Sequence, residues 1–181
     1  MVLSRRRASP RLVAGALQRL HQRHAAPEDA ALMDAPAVRD LVALLDALAS
    51  PAHDLSLAQA LRSALFGASD DDLVALAQRA AAGTTTWWQA LAAALAHELP
   101  AALQRAQGLL ARWQRASREL PPHDLLDLVV DQGELHARVA ARVPAAERAA
   151  ALAAIDALLG QSLELDGGRY ATPYNFVRAL R

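Results

Sequence analysis

The chain has 181 residues, enough for one ordinary domain that buries roughly 70% of its unfolded surface. Ala and Leu dominate a composition that is 54% hydrophobic and sparse in β-branched and aromatic residues, which favours helices over strands. The 19 basic residues, every one an Arg, balance 19 acids, and Cys is absent, which excludes a global pull toward nucleic acid, a disulfide framework and a thiolate metal site.

Asp46, His97 or Asp156 interrupts the longest apolar runs before they reach the about 18 residues of a membrane span. The arginines near the start lack a following signal-peptide core and cleavage pattern. A chain without Cys is compatible with the cytoplasm.

Met1–Ser4 is a short apolar piece ending in Arg5, Arg6 and Arg7. Ser9-Pro10 starts a helix, with Leu12, Val13, Ala16, Leu17 and Leu20 as its buried stripe as far as His24. A linker over 25–35 carries Pro27 and an apolar anchor at Leu32 and Met33. Asp34 caps the next helix, with Pro36 in its first turn. Val38, Leu41, Val42, Leu45 and Leu48 line its buried side, and Arg39, Asp40 and Asp46 its outer side. Pro51 ends that helix. Asp54 then caps one whose Leu55, Leu57, Ala58, Leu61, Ala64 and Leu65 form a broad apolar stripe, with only Arg62 and Ser63 facing outward. Gly67 sits where a helix ends in a left-handed residue, and Ser69 caps a helix opened by Asp70, Asp71 and Asp72.

That helix stops at Gly83, and Thr84, Thr85 and Thr86 offer caps for another beginning at Trp87. Trp87 and Trp88 point about 100° apart and cannot fill one pocket. Both belong at the core or its boundary, or one of them stacks on a base. Beyond Pro100 a long helix over 101–120 carries Leu103, Leu110 and Trp113 on its apolar face and Arg105, Arg112, Arg115 and Arg118 opposite. This basic stripe either meets DNA phosphates or is a solvated face. Pro121-Pro122 breaks the chain before a helix with Leu125, Leu126, Leu128 and Val129. Gly133 interrupts it, and Glu134–Val143 follows with Leu135, Val139 and Val143. Pro144 opens a helix to Leu159 that Gly160 ends, Asp166-Gly167-Gly168 turns, and Thr172-Pro173 caps a last helix with Phe176 and Val177 apolar. The whole reads as all-α, an irregular multi-helix domain of about ten helices with no sheet of three or more strands.

Several phrases together resemble the RecB/AddA branch of the UvrD/Rep-like superfamily 1 DNA helicases. PAHDLSLA followed by LRSALFG is similar to the family's "P-x-x-D-L-S-L-A" and "L-R-S-x-L-F-G" in the helical insertion called subdomain 2B. VLSRRRASPRLVAGAL is similar to helicase motif IV, a strand that delivers an Arg before a helix. EDAALMDAPAVRDLVALLDALASPAHD, LPPHDLLDLVV and TPYNFVRALR are similar to further segments of that insertion, in the family's order. The resemblance implies residues 1–8 as the end of motor domain 2A and 9–181 as a 2B-like helical body, a piece of a larger helicase. It implies that Arg5 reaches the ATP phosphates in the parent, which uses ATP and Mg. The implied partners are DNA, the rest of the helicase chain and a second helicase–nuclease subunit. The implied parent activity is that of an ATP-dependent DNA helicase/exonuclease in double-strand-break repair and recombination, in the cytoplasm. One departure is Ala64, where the family commonly has Pro, and it predicts a helix that continues smoothly through the corner.

The chain itself carries no catalytic constellation. Without Lys it has no G-x-x-x-x-G-K-[ST] loop for triphosphate. His21 and His24 lie one turn apart with no third ligand at metal spacing. No Ser, His and Asp arrangement for nucleophilic catalysis emerges from the spacing. Two readings from different classes remain open: a helicase subdomain that contacts DNA or gates the motor without catalysis of its own, and a helical protein–protein interaction module without a DNA role.

Overall fold

A single helix, α1 (Pro36–Ala49), is covered on nearly every side by the others. The computed structural model describes residues 32–164 and 172–180. Among them are nine α-helices, two single 3-10 turns and no strand, in agreement with the all-α expectation. Arg5, the helix expected up to His24 with His21, and the 166–168 turn lie outside the described residues.

Pro36 occupies the first turn of α1, where a missing N–H costs nothing. Nine of the 14 residues of α1 are buried, including Ala43, Leu44 and Ala47 on the side expected to face outward. A helix apolar all round must be enclosed. The enclosing elements are α2 (Asp54–Arg62), α5 (Ala101–Ala116), α8 (Ala145–Glu164) and α9 (Pro173–Leu180). Enclosure also buries Asp46, which sequence placed outside. Its carboxylate accepts from Ser56 Oγ (2.5 Å) and from His53 Nδ1 (3.2 Å), so the cost of burying it is offset by hydrogen bonds.

The α2 stripe is narrower than expected. Leu57, Ala60 and Leu61 are buried, whereas Leu55 is 85% exposed. Asp54 does not cap its own helix; its Oδ1 accepts from the Trp87 N–H (2.9 Å), at the start of α4 (Trp87–Ala93). The helix also ends at Arg62, not at Gly67, without a proline at position 64. Ser63 turns inward and is buried: its hydroxyl donates to Ala60 O (2.6 Å) and accepts from Leu65 N–H (3.2 Å). Ser63 adopts ψ 168°, the extended value that a residue before proline prefers, so a proline at 64 fits the same corner. Gly67 does take the left-handed conformation, with φ 76°. Arg142, at the end of α7 (Leu135–Arg142), lies over it and donates to Ser63 O (3.2 Å).

Two capping boxes stand where the sequence placed caps. Ser69 and Asp72 bond reciprocally at the start of α3 (Asp70–Gly83), and Thr86 and Gln89 do so at α4. Gly83, however, is the last residue of α3, and the left-handed stop falls on Thr84 at φ 51°. A β-branched residue is strained there. Thr84→Gly is therefore expected to raise stability by about 1 kcal/mol, read as a higher urea midpoint at unchanged m-value. An unchanged or lowered midpoint would count against strain at Thr84.

After the 3-10 turn Ala96–Glu98, α5 ends at Ala116, short of the expected 120. Then come α6 (Pro122–Gln132) and α7. Gly133 sits between them in a right-handed conformation, where a Cβ would run into the Leu65 side chain, and the left-handed residue is Glu134, at φ 53°. α8 runs through Gly160 to Glu164 instead of stopping at it, held by buried Ile155, Leu158 and Ser162.

Candidate nucleic-acid interface

The sequence offers one basic stripe, and the structure divides it. On the α5 wheel Leu109 lies about 40° from Arg105, and Leu109 is buried together with Leu103, Ala106, Leu110 and Trp113. Arg105 is thereby drawn to the edge of the core and is not solvent-facing as expected. Its side chain is 28% exposed and its Nε is buried. Its Nη2 donates to Gly133 O (2.9 Å) at the end of α6 and pairs with Glu134 (3.2 Å), which also pairs with Arg138 (3.6 Å). Arg105 is thus a clamp between α5 and the α6–α7 turn.

Arg112, Arg115 and Arg118 are exposed. Arg112 donates from Nε to Gly108 O (3.3 Å) on its own helix. Among the described residues none of the three has an acidic partner within ion-pair distance. Arg118 lies past the end of α5, so it belongs to the turn after the helix and not to the Arg112–Arg115 face.

Beside that face the packing of α4 against α5 opens a groove of about 400 Å³. Trp88, Leu91, Leu110, Gln114 and Arg115 line it, so an aromatic ring and a guanidinium border one space. Trp87 and Trp88 are both half-buried at the core boundary. The groove wall is fixed by Gln107, whose Nε2 donates to Leu91 O and Ala94 O (both 2.8 Å) and so binds the free carbonyls at the end of α4 to α5. Sequence alone set the arginine stripe and the tryptophans apart, because the chain gives no sign that α4 and α5 lie side by side.

A Ser, His and Asp do meet, in Ser56, Asp46 and His53, but Asp46 stands in the middle and bonds both of the others. A nucleophilic Ser needs the imidazole between it and the carboxylate, so the trio ties the end of α1 to the start of α2 and does no acyl chemistry. His123 Nδ1 bonds Ser162 Oγ (3.0 Å), and His136 bonds Asp156 (2.9 Å). Both contacts join α8 to its neighbours. Among the described residues no three His, Asp or Glu side chains gather where a metal ion could be held.

A second cavity, of about 310 Å³, lies between the start of α1, the Ser63–Leu65 corner, α7 and α8. Its walls are Leu41, Leu65, Leu135, Val139 and Val143, with Asp40 and Glu147 as its charged groups. Burial pushes the Asp40 carboxyl above its usual range, against the opposing effects of the Gln59 hydrogen bond and the Arg39 charge. Among the described residues no helix is long and apolar enough to cross a membrane. No protein-family model matches the chain, and no curated protein matches it.

Proposed function

We propose that this chain is an accessory helical subdomain of a UvrD/Rep-like DNA helicase of the RecB/AddA branch, and that it grips duplex DNA through Arg112 and Arg115. The observation that carries the reading is the exposed Arg112–Arg115 face, whose charges are not spent on acids among the described residues. The order of the 2B-like phrases and the all-helical body support the family half of the reading. In this role the chain turns over nothing itself. ATP and Mg belong to the motor of the parent, toward whose phosphates Arg5 would point by the resemblance, in a cytoplasmic helicase/exonuclease of DNA repair. Guanidinium groups on phosphates position a duplex without reading its sequence. A chain of zero net charge binds weakly and loses that binding as salt rises.

The test is anisotropy of a labelled blunt DNA hairpin titrated with the full chain at several salt concentrations. Replacing both Arg112 and Arg115 by Gln is expected to weaken binding at low salt and to reduce the slope of log affinity against log salt by about 1.8, at about 0.9 per phosphate. Arg105→Gln is the control, expected to lower the unfolding midpoint and leave the slope unchanged. An unchanged slope in the double variant overturns the reading.

The second reading, a protein-interaction module, is favoured by the apolar cavity between α1, α7 and α8. A protein partner bound by a chain with no DNA affinity would support it.

A further inference from the structure

Resting on the DNA-contact reading, we infer that the groove between α4 and α5 is a binding site for one unpaired nucleobase, stacked on Trp88, so that this face engages a duplex–single-strand junction. The groove holds about 400 Å³, within the about 300–1,000 Å³ of sites that enclose small organic groups. Its lining is what a base requires. Trp88 brings an aromatic ring to it, Leu91 and Leu110 an apolar floor, and Gln114 a polar side chain at its border. Arg115 borders the same groove and is exposed, so its guanidinium is placed to meet the phosphate of the stacked nucleotide. Arg112 stands one helical turn back along α5 and meets the duplex beside it.

The competing uses of these side chains are few. Gln107, which also lines the groove, is committed to the carbonyls ending α4, which makes it part of the frame and not a reader of the ligand. Trp113 is fully buried and its Nε1 donates to Gln132 Oε1 (3.1 Å), so it takes no part. Trp87 anchors the start of α4 through its backbone N–H on Asp54, so the ring that follows it is held on a fixed turn. A stacking ring on a fixed helix meets a base with little ordering cost. Because every base has a π-face, the site discriminates unpaired from paired nucleotides and not one base from another.

The experiment compares two kinds of labelled hairpin, one blunt and one with a four-thymidine overhang, the latter made in each polarity, against the full chain at low salt. The unaltered chain is expected to bind an overhang about 5- to 150-fold more tightly than the blunt hairpin. Trp88→Leu is expected to abolish that preference while keeping blunt-hairpin binding, and Trp88→Phe to retain part of it. In a Trp87→Phe chain, where Trp88 and the buried Trp113 remain, the overhang but not the blunt hairpin is expected to quench tryptophan emission. This second readout does not depend on how Trp88→Leu folds. An overhang preference unaffected by Trp88→Leu, or emission that both hairpins leave unchanged, overturns the base site while leaving the duplex reading intact. Failure of the unaltered chain to bind either hairpin overturns both.

Discussion

Replacing Trp113 by alanine is expected to remove about 3–5 kcal/mol of stability, a large part of the about 5–15 kcal/mol that a domain has in total. Trp113 is fully buried on α5 and links three parts of the fold. Its indole N–H donates to Gln132 at the end of α6 (3.1 Å). Its ring lies 5.9 Å from that of Phe66, tilted by 43°, at the corner after α2. Its far edge also backs Gly133, the residue whose missing Cβ leaves room for Leu65. Truncation to alanine opens a cavity among all three and leaves the Gln132 amide without its donor. Trp113→Phe keeps most of the packing and gives up the hydrogen bond, so its loss should be nearer 1–2 kcal/mol. Urea unfolding followed by circular dichroism, with m-values compared, measures both. A Trp113→Ala loss below about 1.5 kcal/mol would show that the region collapses to fill the space.

Gly67→Ala is expected to cost about 2–4 kcal/mol, for two separable reasons. At φ 76° an alanine Cβ crowds the following carbonyl, worth about 1–2 kcal/mol. The new Cβ also runs into the Arg142 guanidinium, displacing the donor that satisfies Ser63 O and ties the end of α7 to the corner. A double-mutant cycle separates the two. In an Arg142→Ala background the steric part vanishes, and Gly67→Ala should then cost only the backbone part. If the two substitutions prove additive, Arg142 does not sit over Gly67 in solution.

The signals that survive from sequence to structure are local ones. Both capping boxes, the proline at the start of α1 and the left-handed Gly67 depend on residues within four positions of one another, and each falls where spacing put it. Thr84 and Glu134 show the limit of that logic, since each takes a left-handed turn one residue after a glycine that was expected only to stop or interrupt a helix. The width of a buried stripe is another matter. Leu55 follows the apolar period yet is left in solvent, because only the Leu57–Ala60–Leu61 side of α2 meets a neighbour. Asp46 is buried because four helices surround α1, a fact written in none of them singly. The candidate site divides the same way. Arg112 and Arg115 face out as the wheel of α5 says, while Arg105 is taken by a carbonyl 28 positions away. The pairing of Trp88 with Arg115 exists only because α4 packs on α5.

The place of α9 has a consequence for the integrity of the core. Thr172, Pro173 and Tyr174, at its beginning, share a groove with Leu48, Ala49 and Pro51 at the far end of α1. From there α9 runs back along α1, sinking Phe176 and Val177 into the core and ending with Leu180 against it. A segment far along the chain thus closes one side of the helix at the centre of the fold. Cutting the chain before Pro173 would therefore open that side of α1 to water and take Phe176 and Val177 out of the core.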